Sequence, residues 1–338
     1  MGIRWVLTAL AAGWLLGGTG CQTLRQRWAQ DRYVKGQVLA EQGNVEAALA
    51  ELAAAVRRDP KLSVAHAAMG DIYRHQGNLD QARQSYETAC RTDPYAFRAH
   101  YNLGVTYQML SQAAKAIAKA QEYLREAVRV YLRAVAIDPT DFDSNLNLAA
   151  CYFQLGKPDL AEQYCLAAIK GNPANSQAHS NLGVIYDSQN RLFDAIREYK
   201  ASLEIDEHQP QLLLNLGATY AKQERFKMAI TCFELAAKDD ANFAPAYEQM
   251  GASYFQLRQY DRALDAYQKA VAADAGSAAA YRGIGAAYMS QYLTDRDKAD
   301  LREKALEAWN RSLEFQSDQK DLLRLVEKYR SRTAGPEL

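Results

Sequence analysis

Asn102, Asn147, Asn181 and Asn215 recur in one slot of four successive segments, and Gln249 takes that slot in the next. A primary amide carries donors and an acceptor on one planar group, so a row of amides can pair with the backbone of an extended chain at each step. Recognition of that kind depends little on the sequence bound. The same amides can instead satisfy backbone groups locally, and the pattern alone leaves both readings open. Tyr101, Val105, Leu146, Phe153, Val184, Leu214 and Phe255 accompany them, so the candidate surface mixes amide and apolar groups.

Residues able to do covalent or acid–base chemistry are present but not arranged for it. His66, His100 and His179 share a slot that Leu213 and Tyr247 fill elsewhere, an interchange that points to packing. No His-Glu-x-x-His, phosphate loop or nucleophile elbow occurs. Beyond Cys21 the cysteines are Cys90, Cys151, Cys165 and Cys232, with no Cys-x-x-Cys and no metal-ligand spacing. Cys165 and Cys232 read as small buried hydrophobes. A Cys151–Cys165 disulfide is the alternative in an oxidising compartment. No metal or other cofactor, no small-molecule substrate and no enzymatic activity are expected.

The charge balance narrows the partners. The chain has 40 basic and 40 acidic side chains, and no basic patch with interleaved aromatics. It therefore lacks the electrostatic footprint of a nucleic-acid binder.

The elements that position the amides follow from a 34-residue period. Gly36, Gly70, Gly104, Gly183, Gly217, Gly251 and Gly285 share one slot, with Ala149 filling it once. Ala48, Ala82, Ala127, Ala161, Ala195, Ala229, Ala263 and Ala305 share another. A period of this size marks a stacked repeat array. In the segment 63–96, His66, Met69, Gly70 and Tyr73 follow helical spacing, as do Ala82, Tyr86 and Ala89. Gly77-Asn78 supplies a tight turn between them, and Asp93-Pro94 stops the second helix. Glycine or alanine in the first helix is expected to face alanine in the second. Tyr73, Tyr107, Tyr152, Tyr186, Tyr220, Tyr254 and Tyr288 recur three residues after the small slot and are expected to fill space between units.

The strings NLGVTY, NLGVIY and NLGATY with the Asp-Pro closures resemble the tetratricopeptide repeat family. The resemblance implies an all-α fold, a right-handed α-solenoid of about eight helix-turn-helix repeats with a C-terminal capping helix. The array is expected to run over 29–319, in units 29–62, 63–96, 97–141, 142–175, 176–209, 210–243, 244–277 and 278–319. A capping helix over 320–330 follows, with Leu322, Leu325, Val326 and Tyr329 as its apolar face, then a frayed tail over 331–338. Glu207, Ala241, Ala275 and Ser317 replace the proline held by Pro60, Pro94, Pro139 and Pro173, so those turns are expected to be looser. Unit three carries 11 extra residues within Ser111 to Arg125, expected as a lengthened, protruding second helix. Unit eight carries eight more around Tyr292 to Leu301, expected as a solvated loop. In this family the first helix of each unit lines the concave face. The amide row then resembles the asparagine ladder of peptide-holding tetratricopeptide superhelices. The lysine-and-asparagine clamp that some relatives use on a C-terminal carboxylate is not visible.

Residues 1–20 read as a signal peptide: Arg4, then an apolar run from Trp5 to Leu16, too short to span a bilayer. Gly17-Gly18-Thr19-Gly20-Cys21 resembles the lipobox of bacterial lipoproteins, although Gly18 stands where that family usually has leucine. The resemblance implies cleavage before Cys21 and acylation there. Ordinary cleavage leaving Cys21 unmodified is the alternative. Gln22 in place of the aspartate that signals inner-membrane retention favours the periplasmic face of the outer membrane. Residues 21–28 would be a short tether, with Arg25, Arg27 and Trp28 either touching headgroups or starting the first helix.

These observations predict a lipid-anchored periplasmic scaffold that binds envelope proteins or extended peptides. By resemblance it would serve pilus assembly or secretion, peptidoglycan enzymes or outer-membrane biogenesis. The alternative is a regulatory or substrate-presenting subunit of an envelope enzyme complex, such as one making exported polysaccharide.

Overall fold

The computed structural model describes residues 24–331. The signal segment, Cys21 and the tail beyond residue 331 lie outside the described residues. The described chain is helical throughout, apart from short turns. Helix α1 covers residues 24–41, so the stretch read as a tether is helical from residue 24. Arg25 and Trp28 make contacts inside the first pair: the Trp28 ring lies between the Arg32 and Arg58 guanidinium groups, each 4.6 Å from its centroid. Arg25 also donates to the Arg58 carbonyl (3.4 Å).

The chain forms two compact units, the first ending at Pro173 and the second beginning at Ala174. The first unit continues with α2 (Val45–Arg58), α3 (Ser63–His75), α4 (Leu79–Thr92), α5 (Phe97–Ala113), α6 (Ile117–Ile137), α7 (Phe142–Gln154) and α8 (Pro158–Gly171). The second contains α9 (Ser176–Ser188), α10 (Leu192–Ile205), α11 (Pro210–Lys222), α12 (Phe226–Asp239), α13 (Ala244–Gln256), α14 (Tyr260–Ala273), α15 (Ala278–Thr294), α16 (Ala299–Phe315) and α17 (Lys320–Ser331). Helices pair as antiparallel hairpins, α3 with α4 through α15 with α16. Within each unit, first helices also touch the next first helix, as α3–α5–α7 and α9–α11–α13–α15 do. Second helices within each unit touch the following first helix but not one another. The closer spacing therefore falls on the first-helix side, which makes it the inner side of each unit.

The two repeating slots define the hairpin core. All eight slot alanines of the second helices are 0% exposed. The glycine slot does not face alanine, as the small residues suggest. A Cβ added at Gly70, Gly104, Gly183 or Gly251 would lie 2.5–2.8 Å from ring atoms of Tyr86, Tyr131, Tyr199 or Tyr267. Gly217 lies against Phe233 and Gly285 against Trp309 in the same way. The glycine is thus the floor on which the aromatic of its own second helix lies. Unit four breaks both halves of the rule together: Ala149 carries the Cβ, and buried Cys165 stands in the aromatic slot. The stripe of tyrosines three residues on is core, with Tyr107, Tyr152, Tyr186 and Tyr220 buried. The Tyr107 hydroxyl donates to Glu87 of the preceding hairpin (2.7 Å).

Turns between hairpins are closed by aspartate more than by proline. Asp59, Asp93, Asp138, Asp206, Asp240 and Asp274 each end a second helix, and each accepts through Oδ1 from the N–H two residues on, at 2.9–3.2 Å. This Asx turn holds the corner whether or not proline follows. The turns at Glu207, Ala241 and Ala275, each after one of these aspartates, accordingly keep the same four-residue length, and so does the turn at Ser317, which follows Gln316. Two of them carry an extra clamp. Gln209 Nε2 donates to the Ser202 and Asp206 carbonyls (3.3 and 2.7 Å), and Gln319 Nε2 to those of Ser312 and Gln316 (3.2 and 3.0 Å).

Both insertions differ from the sequence reading. In unit three α5 has 17 residues and α6 has 21, against 13 and 14 in the standard α3 and α4. The 11 residues are therefore shared, four and seven, and the whole hairpin extends rather than its second helix alone. In unit eight α15 and α16 are both 17 residues long, and only 295–298 form a turn. The expected loop is largely helix, because Tyr292 packs against the cluster of Met289, Trp309 and Leu322. Helix α17 covers that cluster with Leu322, Val326 and Tyr329, whereas Leu325 is 39% exposed and lies off the packed face.

Candidate functional site

With the glycine, alanine and tyrosine slots consumed by packing, and Ala99, Leu103, Leu148, Leu182 and Leu216 buried beside them, the half-buried first-helix positions are the candidates for the inner side of each unit. Tyr101, Val105, Leu146, Phe153, Val184, Leu214 and Phe255 are all half-buried, as are Asn102, Asn147, Asn181 and Asn215, while Gln249 is exposed. Phe255 is partly spent on packing, its ring tilted at 59° to that of Tyr260 with centroids 5.5 Å apart, and it lies against the Tyr267 cluster.

In the first unit the amides are engaged. Asn102 donates to the Asp71 carboxylate of α3 (2.9 Å), which also accepts from the Tyr86 hydroxyl. Asn147 donates at 3.4 Å to the Tyr101 hydroxyl of α5. Each bond links one first helix to the previous one, so these amides also serve the stacking of repeats.

The first unit's inner side is hollowed into a cleft of about 710 Å³. Its floor is small: Ala67, Ala68, Ala96 and Ala99. Tyr33 of α1 forms one wall, and Phe97 and Tyr101 of α5 form another, their rings stacked with centroids 6.4 Å apart and planes 13° apart. Asp71, Asp93, Asp141 and Asp143 line it against two arginines, Arg74 and Arg98. Burial raises the Tyr101 phenol above its ordinary value, and the negative charges of Asp143 and Asp141 add to the rise. Burial and the Asp71 carboxylate do the same to Tyr33. Tyr101 and Asn102 are the only two sequence-derived candidates in this cleft. The charged lining was missed, although Arg98 and Asp143 occupy one register position of successive first helices and the same slot logic finds them.

The second unit's inner side is closer to neutral. The carboxylate of Asp187 is held by the Lys222 ammonium and the Thr219 hydroxyl, tying α9 to α11. Gln211 donates to the Asn215 side-chain oxygen (3.3 Å). In unit eight the amide slot is Gly283, where a Cβ would collide with the Tyr267 ring of the preceding hairpin. The amide row therefore stops at Gln249 for a packing reason.

The histidines have structural partners. The ring Nε2 of His66 and of His100 donates to the Pro60 and Pro94 carbonyls (both 3.1 Å), and Asn145 makes the equivalent bond to Pro139. His179 Nδ1 lies 2.8 Å from Glu198. Cys90, Cys151 and Cys232 are free thiols, and Cys165 is buried. Burial pushes Cys151 up to about 12 and Cys232 up to about 11. Among the described residues no group of three or more His, Cys, Asp or Glu side chains is placed to hold a metal ion. No described helix is long and apolar enough to cross a membrane.

Five family models match along the chain: TPR repeat at residues 70–111, and tetratricopeptide repeat at 29–63, 130–163, 210–242 and 244–276. Together they cover more than half of the 338 residues. Among solved structures the chain is similar to a tetratricopeptide repeat protein from Parabacteroides merdae: 18% identity, 79% of this chain and 98% of that one covered, TM-score 0.55. It is similar also to pilF of Pseudomonas aeruginosa, with 20% identity, 64% and 94% covered, and TM-score 0.51. YrrB, a TPR protein with an unusual peptide-binding site, matches at 20% identity over 58% of this chain and 95% of that one, TM-score 0.50. These likenesses are of fold. The glycine floor, the aromatic above it and the Asp-closed corner recur on the period those models describe, and the chain belongs to the tetratricopeptide repeat family.

Proposed function

We propose that the protein is a scaffold without chemistry of its own, which holds envelope proteins or extended peptides on the inner faces of its first helices. In this reading it is exported, cleaved before Cys21 and anchored by acyl chains there, facing the periplasm from the outer membrane. The observation that carries the binding role is the division of labour along each first helix. Leu146, Val184 and Leu214 lie outside the glycine, alanine and tyrosine slots, and they are half-buried apolar groups beside half-buried amides. Partly exposed apolar groups on a concave side gain free energy when a partner covers them. Membership of a repeat family whose arrays bind proteins supports the scaffold, and the near-neutral charge disfavours nucleic acid.

Replacing Asn147 and Asn181 with alanine is expected to weaken partner binding while shifting the melting curve only slightly, because the Asn147 bond to Tyr101 is long at 3.4 Å. A fall in stability with binding intact would make those amides purely structural. The anchor is tested separately by mass spectrometry of the mature N-terminus. A diacylglyceryl thioether on Cys21 is expected; a free thiol at Cys21 or an uncleaved leader would overturn it.

A further inference from the structure

The inner faces of the two units differ in chemistry, and the difference points to the ligand of the first. In the second unit Asp187 is already neutralised by Lys222. In the first, the Asn102 amide is committed to Asp71, and the guanidinium of Arg74 lies 4.0 Å from the same carboxylate, with its Nε on the Tyr86 hydroxyl. Asp71, Asn102 and Arg74 thus form a closed network. What remains open is the end of the cleft where α5 meets α7. There Tyr101 lies beside Asp141 and Asp143, with Phe97 stacked against it. Asp141 caps α7 by accepting from the Ser144 N–H (2.7 Å) through one oxygen, leaving the other available. Asp143 is exposed and forms no ion pair among the described residues. Two carboxylates beside a stacked pair of electron-rich rings make a cation acceptor: the ring faces attract a guanidinium or ammonium, and the carboxylates pair with it. The alanine floor leaves room for a main chain to lie flat along the cleft.

Resting on the groove-binding reading above, we infer that the first unit's cleft takes an extended peptide segment carrying a basic side chain, seated on Phe97 and Tyr101 and paired with Asp141 and Asp143. Charge readout thereby replaces amide-ladder readout in this unit. Arg98, exposed on the same lining, repels a second basic residue placed near it and favours an acidic or neutral one there.

The test uses the mature-length chain and a synthetic library of 12-residue peptides of random sequence. Enrichment of lysine or arginine at a fixed position is expected. Binding of an enriched peptide should weaken roughly 3- to 10-fold in Asp143→Asn, more in Asp143→Lys, and progressively with added salt. Asp143 lies exposed in the first turn of α7, so both variants are expected to fold, which circular dichroism checks. Replacing Glu204, an exposed carboxylate on the second helix α10, by glutamine should leave the same peptide's affinity unchanged. Enrichment without charge preference, or affinity unaltered in Asp143→Lys, overturns this inference while leaving groove binding intact. No enrichment at all overturns both.

Discussion

Adding one methyl group at Gly183 is the sharpest probe of how each hairpin closes. A Cβ there would sit 2.5 Å from both Cδ1 and Cε1 of Tyr199, about 1 Å inside the ~3.5–4.0 Å at which carbon atoms normally meet. Tyr199 is 1% exposed, so the ring cannot swing into solvent. Overpacking of this kind costs about 1–3 kcal/mol. Alanine gains about 0.8–1.0 kcal/mol over glycine in a helix interior, so a net loss of up to about 2 kcal/mol is expected. Unit four supplies the control, because Ala149 and Cys165 coexist there. In a Tyr199→Cys background the ring is gone, and the same Gly183→Ala change should become stabilising by up to about 1 kcal/mol. The four proteins of this cycle, compared by urea denaturation and calorimetry, should show a coupling of about 2 kcal/mol with a change of sign. Equal or stabilising effects of Gly183→Ala in both backgrounds would refute the argument that the glycine exists to seat the ring.

Three further outcomes are expected. Gln319→Ala removes the clamp on a corner with neither proline nor aspartate and should cost about 1–2 kcal/mol, read as an earlier thermal transition; a neutral result would mean that the corner holds without the clamp. Burial, with help from Arg133 and Arg129, holds the His100 imidazole below its ordinary value of 6.5, against the opposing pull of the Pro94 carbonyl and Asp93. Its neutral form is therefore the one the fold favours. The stability it supplies is present above pH 6.5 and is lost as the pH falls through the lowered folded value. His100→Asn, which keeps the carbonyl bond as Asn145 does, should flatten the dependence of urea midpoint on pH; an unchanged slope would clear His100 of it. Arg258 holds a φ of 57° in the turn where Gly43, Gly77 and Gly156 stand in other hairpins. Arg258→Gly should stabilise by about 0.5–1 kcal/mol, and a lower melting temperature would contradict that.

The helices were legible in the sequence because glycine, alanine and tyrosine repeat on a fixed period and each has a single steric use. The division into first and second helices followed from Gly77-Asn78 and Asp93-Pro94 with little ambiguity. What stayed hidden were relations between slots. Nothing local to Gly183 announces that its partner is Tyr199 on the next helix, rather than the alanine near it. Unit four carries the clue, since Ala149 and Cys165 change together. Proline drew attention at the corners because its constraint is strong, yet aspartate at the preceding position closes most of them, so Glu207 loosened nothing, and at Ser317, after Gln316, the Gln319 amide holds the corner instead. The insertions were misplaced because length alone does not say on which arm of a hairpin residues are added. Of the candidate site, the inner position of Tyr101, Leu146 and Leu214 followed from register. The charge of the first cleft did not, because Arg98, Asp141 and Asp143 gain meaning only once α5 and α7 are side by side.

The central claim is that partners are held on the first-helix faces. Photoreactive residues placed at Tyr101, Leu146 and Leu214 in intact cells test it against two exposed positions on second helices, Leu166 and Leu235. Adducts of one or a few envelope proteins from the first three sites, and none from the second-helix pair, are the expected result. Adducts formed equally at Leu166 and Leu235, or only there, would contradict the assignment of the inner faces as the binding surface.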